Sequence, residues 1–407
     1  MKQKKQFLQT GPAQIISRSE ILLFRNSLKL NICVELLQDG YHRSFSELFS
    51  LLTSDQDRRA AAEPGSDVRL QTPLDEQREK LETMSLHLRR AEQAENTSSW
   101  TVVCEQRLLL GLFFSSLEDF WLALHFFHSC AEREGGSSSG PATEALVCLA
   151  EVYLQRGELQ RARQQAELCI RQADEDGWLD SNHRPLRLRA RGTLWRICSR
   201  LADAQLEAAD LDWALKLLHE GHEAAAGSED KHLESEACYR LGLTYQSAGD
   251  HGTAKQFFNS CIQICSTLQD ADGMGKSYKA MASEGNPHDQ LQYLEKMADI
   301  YRSSGLKHGL ADALLCLGNI YFKRSQYITA CEFFRQSCEL SFELEDPSLL
   351  QKAQVWLGCA RARSLMRGHG ADVEASSVAA LRRLLTRKET RGPGPQALPL
   401  PGPHADE

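Results

Sequence analysis

The residues whose types could do chemistry are histidines and cysteines, and their spacing limits what they can do. His125 and His128 lie three apart with Cys130 two residues on, and His219 and His222 repeat the three-residue interval. Residues three apart on a helix share a face, so either pair could offer two ligands to one ion. Neither pair has the evident second pair that a four-coordinate zinc site requires. Cys261 and Cys265 are four apart, unlike the Cys-x-x-Cys of redox and zinc sites, and Cys261 falls where a helical hairpin would bury it. A buried thiol behaves as a small hydrophobe. DGMGK at 272–276 has too few glycines for a phosphate loop and no strand before it. Gly-x-Ser-x-Gly and His-Glu-x-x-His are both missing. The expectation is a protein without catalytic residues, cofactor, metal or small-molecule substrate.

The elements that carry these residues are helical by composition. Of 407 residues, 42% are hydrophobic and only 7% aromatic. Leu and Ala dominate over Val and Ile, which disfavours a large β protein because strands draw on β-branched and aromatic residues. The net charge of −8 is uneven: residues 1–30 carry +5, residues 361–391 carry +5, and residues 31–360 carry −16. No uniformly basic face for nucleic acid is expected, since phosphate binding concentrates Lys and Arg along one groove. The start, MKQKKQFLQTGPAQ, lacks the apolar stretch of a secretory signal. Runs such as LLLGLFF at 108–114 are far short of a bilayer span. A cytoplasmic protein with reduced cysteines and no membrane contact is therefore expected.

A repeat runs along the chain. ACYRLGLTYQSAGDHGTAKQFFNSCIQIC, from Ala237 to Cys265, has Leu-Gly, an aromatic three residues on, a Gly-Asp break, then Ala254, Phe258 and Cys261. Two amphipathic helices separated by a turn explain this pattern. Leu317, Gly318, Tyr321, Tyr327, Ala330, Phe334 and Ser337 repeat it, as do Leu110, Gly111, Phe114, Phe120, Ala123, Phe127 and Cys130. A fourth copy has Leu149, Ala150, Tyr153, Gly157, Ala162, Ala166 and Cys169. A mid-helix glycine costs about 1 kcal/mol relative to alanine, so its recurrence at one register implies close approach of the second helix. The skeleton resembles the tetratricopeptide repeat, which implies an all-α superhelix of helical hairpins. Weaker copies lie at Leu201, Ala202, Ala214 and Leu218, at Met281, Ala282, Leu294 and Met297, and at Leu357-Gly358.

Equivalent small residues are 39, 52, 40, 40, 36 and 40 residues apart, a period of about 40 against roughly 34 in the standard unit. The 52-residue step predicts a loop at DEDGWLDSNHRP and a prolonged helix; the 36-residue step predicts a stunted first helix before EGNPHD. Segment by segment, a basic tail is expected at 1–18, two helices at 19–52 broken near Asp39-Gly40, a linker at 53–73, and a helix at 74–98 covering the first repeat. An array of six or seven hairpins follows at 104–365, then a capping helix at 373–389 and a Pro/Gly-rich disordered tail at 390–407, which holds five of the twelve prolines.

Such arrays bind partners on the surface lined by their first helices. By register, large apolar residues expected there are Leu108, Leu112, Val147, Leu154, Tyr239, Leu243, Leu315 and Phe322. They meet either a partner peptide or the chain's own terminal helices. Co-chaperone repeats that grip a peptide carboxylate place Lys, Asn and Arg at these slots. Here Leu108, Leu112, Val147, Glu151 and Tyr239 occupy them, so that resemblance fails and helix-in-groove binding is the expected mode.

The segments outside the repeats sharpen the resemblance. NICVELLQDGYHRSFSELFSLL, PLDEQREKL, LRRAEQAE and LEDFWLALHFFHSCAE, in that order, resemble the ciliary and flagellar tetratricopeptide repeat family, from about Arg25 to near Lys388. The resemblance implies a scaffold of motile cilia and sperm flagella, located in cytoplasm, cytoskeleton and axoneme. Its partners would be axonemal or intraflagellar-transport proteins, dynein subunits among them. The alternative is a cytosolic co-chaperone or transport adaptor for axonemal dynein or intraflagellar cargo.

Overall fold

The chain was described from a computed structural model covering residues 27–132, 139–284, 287–375 and 377–390. Helices account for the regular structure of the described residues, with one isolated β-bridge between Leu179 and Pro185. The chain divides into two compact units, one of residues 1–208 with 223–229 and one of 209–222 with 230–407. The expected all-α, tetratricopeptide-repeat class is the one observed.

In the first unit, α1 (Leu28–Gln38) and α2 (His42–Ala61) are broken at Asp39–Tyr41, where Gly40 has φ +80°. A four-residue α3 (Asp67–Leu70) and a 3-10 turn at Leu74–Glu76 lead into α4 (Arg78–Asn96). The linker expected at 53–73 is therefore corrected, because its first nine residues continue α2. Two arginines explain why a polar stretch stays helical. Arg58 lies 4.5 Å over the Trp121 ring, and Arg58 and Arg59 occupy the last turn, where cations favour the helix dipole. Arg107 of the first hairpin ties α2 to the repeats through Glu47, and Glu92 ties α2 to α4. Glu92 of α4 accepts from the backbone N–H groups of Arg43 and Ser44 at 3.1 and 2.8 Å and from Ser44 Oγ at 2.6 Å, capping α2 from another element.

The first unit continues with α5 (Trp100–Phe113), α6 (Phe120–Ala131), α7 (Gly140–Arg156), α8 (Leu159–Asp176) and α9 (Leu186–Glu207). Helix α4 packs on α5, and each helix from α5 to α9 packs on its predecessor. The expected loop lies between Gly177 and Pro185, and α9 is prolonged to 22 residues. Buried Glu144 holds the loop by accepting from Ser181 N and Oγ.

Helix α10 (Leu211–Gly227) falls in both units. In the second unit, α11 (Lys231–Ser247) pairs with α12 (His251–Leu268), α13 (Ala271–Glu284) with α14 (Pro287–Ser304), and α15 (Lys307–Lys323) with α16 (Tyr327–Glu343). Helix α13 is the stunted one, 14 residues against 17 in α11 and α15. The last first-helix, α17 (Pro347–Glu374), is 28 residues long, and α18 (Val378–Thr390) packs on it. The cap expected at 373–389 is thus corrected: 373 and 374 end α17, and the closing helix starts at Val378. The tail expected at 1–18, residues 19–26 of the helices expected at 19–52, and all of the tail expected at 390–407 except Thr390, which ends α18, lie outside the described residues.

Helix pairing depends on a side-chain exchange sixteen residues apart. Gly111, Gly242 and Gly318 face Phe127, Phe258 and Phe334, whose rings come within 2.3, 2.5 and 2.4 Å of where a Cβ would sit. Where the small residue is Ala150, the residue sixteen on is Ala166, and both are fully buried. The large ring is present only where the facing residue is glycine.

Candidate functional site

The eight residues expected to line an open surface can now be placed. Leu108, Val147, Leu154 and Leu315 are buried, which corrects their assignment as open positions; Leu112, Tyr239 and Phe322 are half-buried, and only Leu243 is exposed, at 37%. The cover comes from the next first helix. Leu315 of α15 packs with Leu349, Ala353 and Leu357 of α17, and the Phe322 ring meets Trp356 at 5.6 Å. Tyr239 of α11 packs with Ala280 and Met281 of α13, and the neighbouring Gln246 donates to Ala280 O and Ser283 Oγ. These positions form the seam between consecutive repeats.

At α17 the equivalent seam is open. Adding the 40-residue step to Leu315, Asn319 and Phe322 gives Val355, Cys359 and Ala362, all exposed. The repeat register alone would have located these three residues.

The candidate chemistry is dispersed. His125 Nε2 hydrogen-bonds Glu47 at 2.9 Å, whereas His128 Nε2 meets Tyr153 Oη at 2.7 Å and its Nδ1 meets Glu132. Cys130 Sγ instead lies against the Cys104 carbonyl. The second pair repeats this use: His219 Nε2 meets Tyr245 Oη at 2.7 Å, and His222 Nε2 lies 3.4 Å from Cys238 Sγ. Both histidine–tyrosine pairs join a second helix to the first helix of the next repeat. Cys261 and Cys265 sit 3.8 Å apart in a buried cluster with Cys238. Among the described residues no group of three or more His, Cys, Asp or Glu is placed to hold a metal ion. All thirteen cysteines are free thiols, and Cys359 alone is exposed.

A buried electrostatic centre holds the N-terminal helices on the first hairpin. Arg107 donates to both Glu47 oxygens at 2.8 and 3.0 Å and to Ser129 Oγ. Burial pushes the Glu47 carboxyl up, but hydrogen bonds and charge from His125 and Arg107 outweigh it and hold the group at about 2. At the expected groove slot Glu151, Arg189 donates at 2.7 and 3.0 Å and also pairs with Glu144. That carboxylate is engaged within the fold, leaving no cationic clamp at this slot. No helix among the described residues is long and apolar enough to cross a membrane.

Comparison with known proteins agrees with this architecture. The Tetratricopeptide repeat family model matches residues 235–267, the α11–α12 hairpin. Tetratricopeptide repeat protein 29 of Homo sapiens is 33% identical over 384 residues, covering 93% of this chain and 81% of the relative. Its Macaca fascicularis counterpart is 33% identical over 387 residues with the same coverage. Among solved structures, the tetratricopeptide-repeat sensor STAND protein of Pyrococcus horikoshii aligns at TM-score 0.43 and 12% identity, over 80% of this chain and 52% of that one. With the repeat register, the N-terminal helices before it and relatedness over 93% of its length in hand, the chain belongs to the tetratricopeptide repeat protein 29 family.

Proposed function

We propose that this protein is a non-enzymatic scaffold of motile cilia and sperm flagella, associated with the axoneme and supporting motility through contacts with axonemal or intraflagellar-transport proteins. A tetratricopeptide-repeat chain is suited to protein interaction, since its stacked hairpins offer extended binding surface. The observation that carries the finer reading is the N-terminal module. Its segments, from NICVELLQDGYHRSFSELFSLL to LRRAEQAE, lie outside the repeats, resemble the ciliary and flagellar family, and pack as a unit on the first hairpin. Repeat consensus alone would not distinguish a ciliary protein from any other member of the class.

Fractionation of motile cilia tests the proposal. Detergent-extracted axonemes should retain the protein in the pellet with dynein arms or transport particles. Recovery only from cell-body cytosol would instead favour the assembly or transport adaptor.

A further inference from the structure

Helix α17 carries two apolar faces. Leu349, Ala353, Leu357 and Ala360 are buried against the preceding hairpin. On the opposite side Val355, Cys359, Ala362, Met366, His369 and Val373 follow intervals of four and three, the heptad spacing of a helix seam. All six are exposed; Val355, Met366 and Val373 are 58%, 67% and 56% accessible. The stripe spans 19 residues, about 27 Å of helix from first to last. Helix α18 leaves it open, because it is held elsewhere on α17 by Asp372, which accepts from Arg383 at 2.6 and 2.9 Å.

The same stripe on the preceding first helix shows what such a surface takes. Leu315 and Phe322, forty residues before Val355 and Ala362, are covered by α17 itself. A helix laid along Val355–Val373 would reproduce that contact one repeat further on.

Charge selects the kind of helix. Residues 347–371 contain no Asp or Glu but hold Lys352, Arg361, Arg363 and Arg367. None of these four joins an ion pair among the described residues, whereas Arg335 in the preceding helix is paired twice. Arg363, Met366 and Arg367 line a cleft of about 440 Å³ with Ser325 and Tyr327. In that cleft Arg367 Nη1 donates to Ser325 O at 2.9 Å, fixing the guanidinium at its wall. Two copies of this face would bring like charges together. A flat lipid surface would leave the cleft empty.

We propose that the exposed stripe of α17 receives an acidic amphipathic helix of a partner protein, seated on α17 as α17 is seated on α15. The partner supplies the first helix of one further repeat. Apolar side chains at four- and three-residue intervals meet Val355, Ala362 and Met366, and flanking carboxylates pair with Lys352, Arg363 and Arg367. This rests on the protein-interaction reading and is independent of the ciliary one.

The test uses the full chain and two synthetic three-heptad peptides with the same Leu/Ala core, one flanked by Glu and the other by Lys, in fluorescence anisotropy. The Glu-flanked peptide should bind and the Lys-flanked one should not. Met366→Glu should weaken binding at least tenfold with an unchanged melting curve, since the side chain is solvent-exposed. Arg363→Glu with Arg367→Glu should reverse the peptide preference. Equal binding of both peptides, or insensitivity to Met366→Glu, overturns the proposal. Three other results also overturn it by naming a different occupant: Met366-dependent sedimentation with phosphatidylserine vesicles, Met366-dependent dimerisation in ultracentrifugation, or tighter peptide binding once residues 391–407 are removed. Axonemal fractionation of the Met366→Glu protein separates failure here from failure of the ciliary reading, because that reading needs only retention of the chain in the pellet.

Discussion

Replacing Gly318 with alanine places a Cβ 2.4 Å from Cε1 and 2.6 Å from Cδ1 of Phe334, where carbon atoms normally stay beyond about 3.4 Å. The ring is fully buried and stacks on Trp356 at 6.1 Å, so retreat by the missing ångström displaces a second aromatic. Overpacking of this kind costs about 1–3 kcal/mol, and alanine's helix propensity returns about 1 kcal/mol. Gly318→Ala should therefore destabilise by up to about 2 kcal/mol. Phe334→Ala alone leaves a cavity and should cost about 3–5 kcal/mol. In the double variant the clash is gone while the propensity gain remains. It should be as stable as Phe334→Ala or about 1 kcal/mol better, a coupling of about 2 kcal/mol. Repeat arrays can lose two-state behaviour, so the assay is native-state hydrogen exchange at amides of α15 and α16 rather than a global melt. A stabilised Gly318→Ala, or additive effects, would refute the claim that glycine is present to admit the ring.

Three further outcomes are expected. Ser325 holds φ +60° at the turn where the α11–α12 hairpin has Gly249 at +83°; a non-glycine residue there costs about 1–2 kcal/mol, so Ser325→Gly should raise the denaturation midpoint, and a lower one would contradict this account. Glu47 has its folded-state pKa lowered from 4.5 to about 2, so its contribution is fully present above pH 5 and is lost as pH falls from about 4.5 toward 2. That amounts to roughly 3 kcal/mol, visible as falling protection factors of α2 amides on acidification, taken against the intrinsic exchange rate at each pH, and the change should be reduced in Glu47→Gln; an identical pH slope in that variant would remove Glu47 as the cause. Finally, an aromatic disulfide reagent should titrate Cys359 quickly, half-buried Cys316 slowly, and the other eleven thiols only after unfolding; rapid reaction of several thiols in the native protein would contradict the burial pattern.

The repeat register was legible because it is local. Gly242 and Phe258 lie in one hairpin, and their identities are coupled through direct contact. The stunted α13 and prolonged α9 were equally readable, since length between equivalent residues is conserved by geometry. The open surface was misread for the opposite reason. Leu315 shares its cluster with Ala330 and Phe334 of its own hairpin, but Leu349, Ala353 and Leu357 of the next repeat complete its burial. Burial at such a seam belongs to the neighbour, so a single-repeat reading leaves it exposed. The polar segment 53–61 was misjudged likewise, because the Trp121 ring under Arg58 comes from a distant helix. Turn positions such as Ser325 and Ala209 carry no glycine signal, although both adopt positive φ.

The capping of α2 by Glu92 bears on how the polypeptide emerges during synthesis. The acceptor for Ser44 N lies 48 residues downstream, and elongation at about 5–20 residues per second delivers it roughly 2–10 s later. For that interval the start of α2 lacks its downstream acceptor, and Leu48, Leu51 and Leu52, buried in the finished fold, can meet only α1. The two N-terminal helices therefore complete their packing only once α4 has emerged.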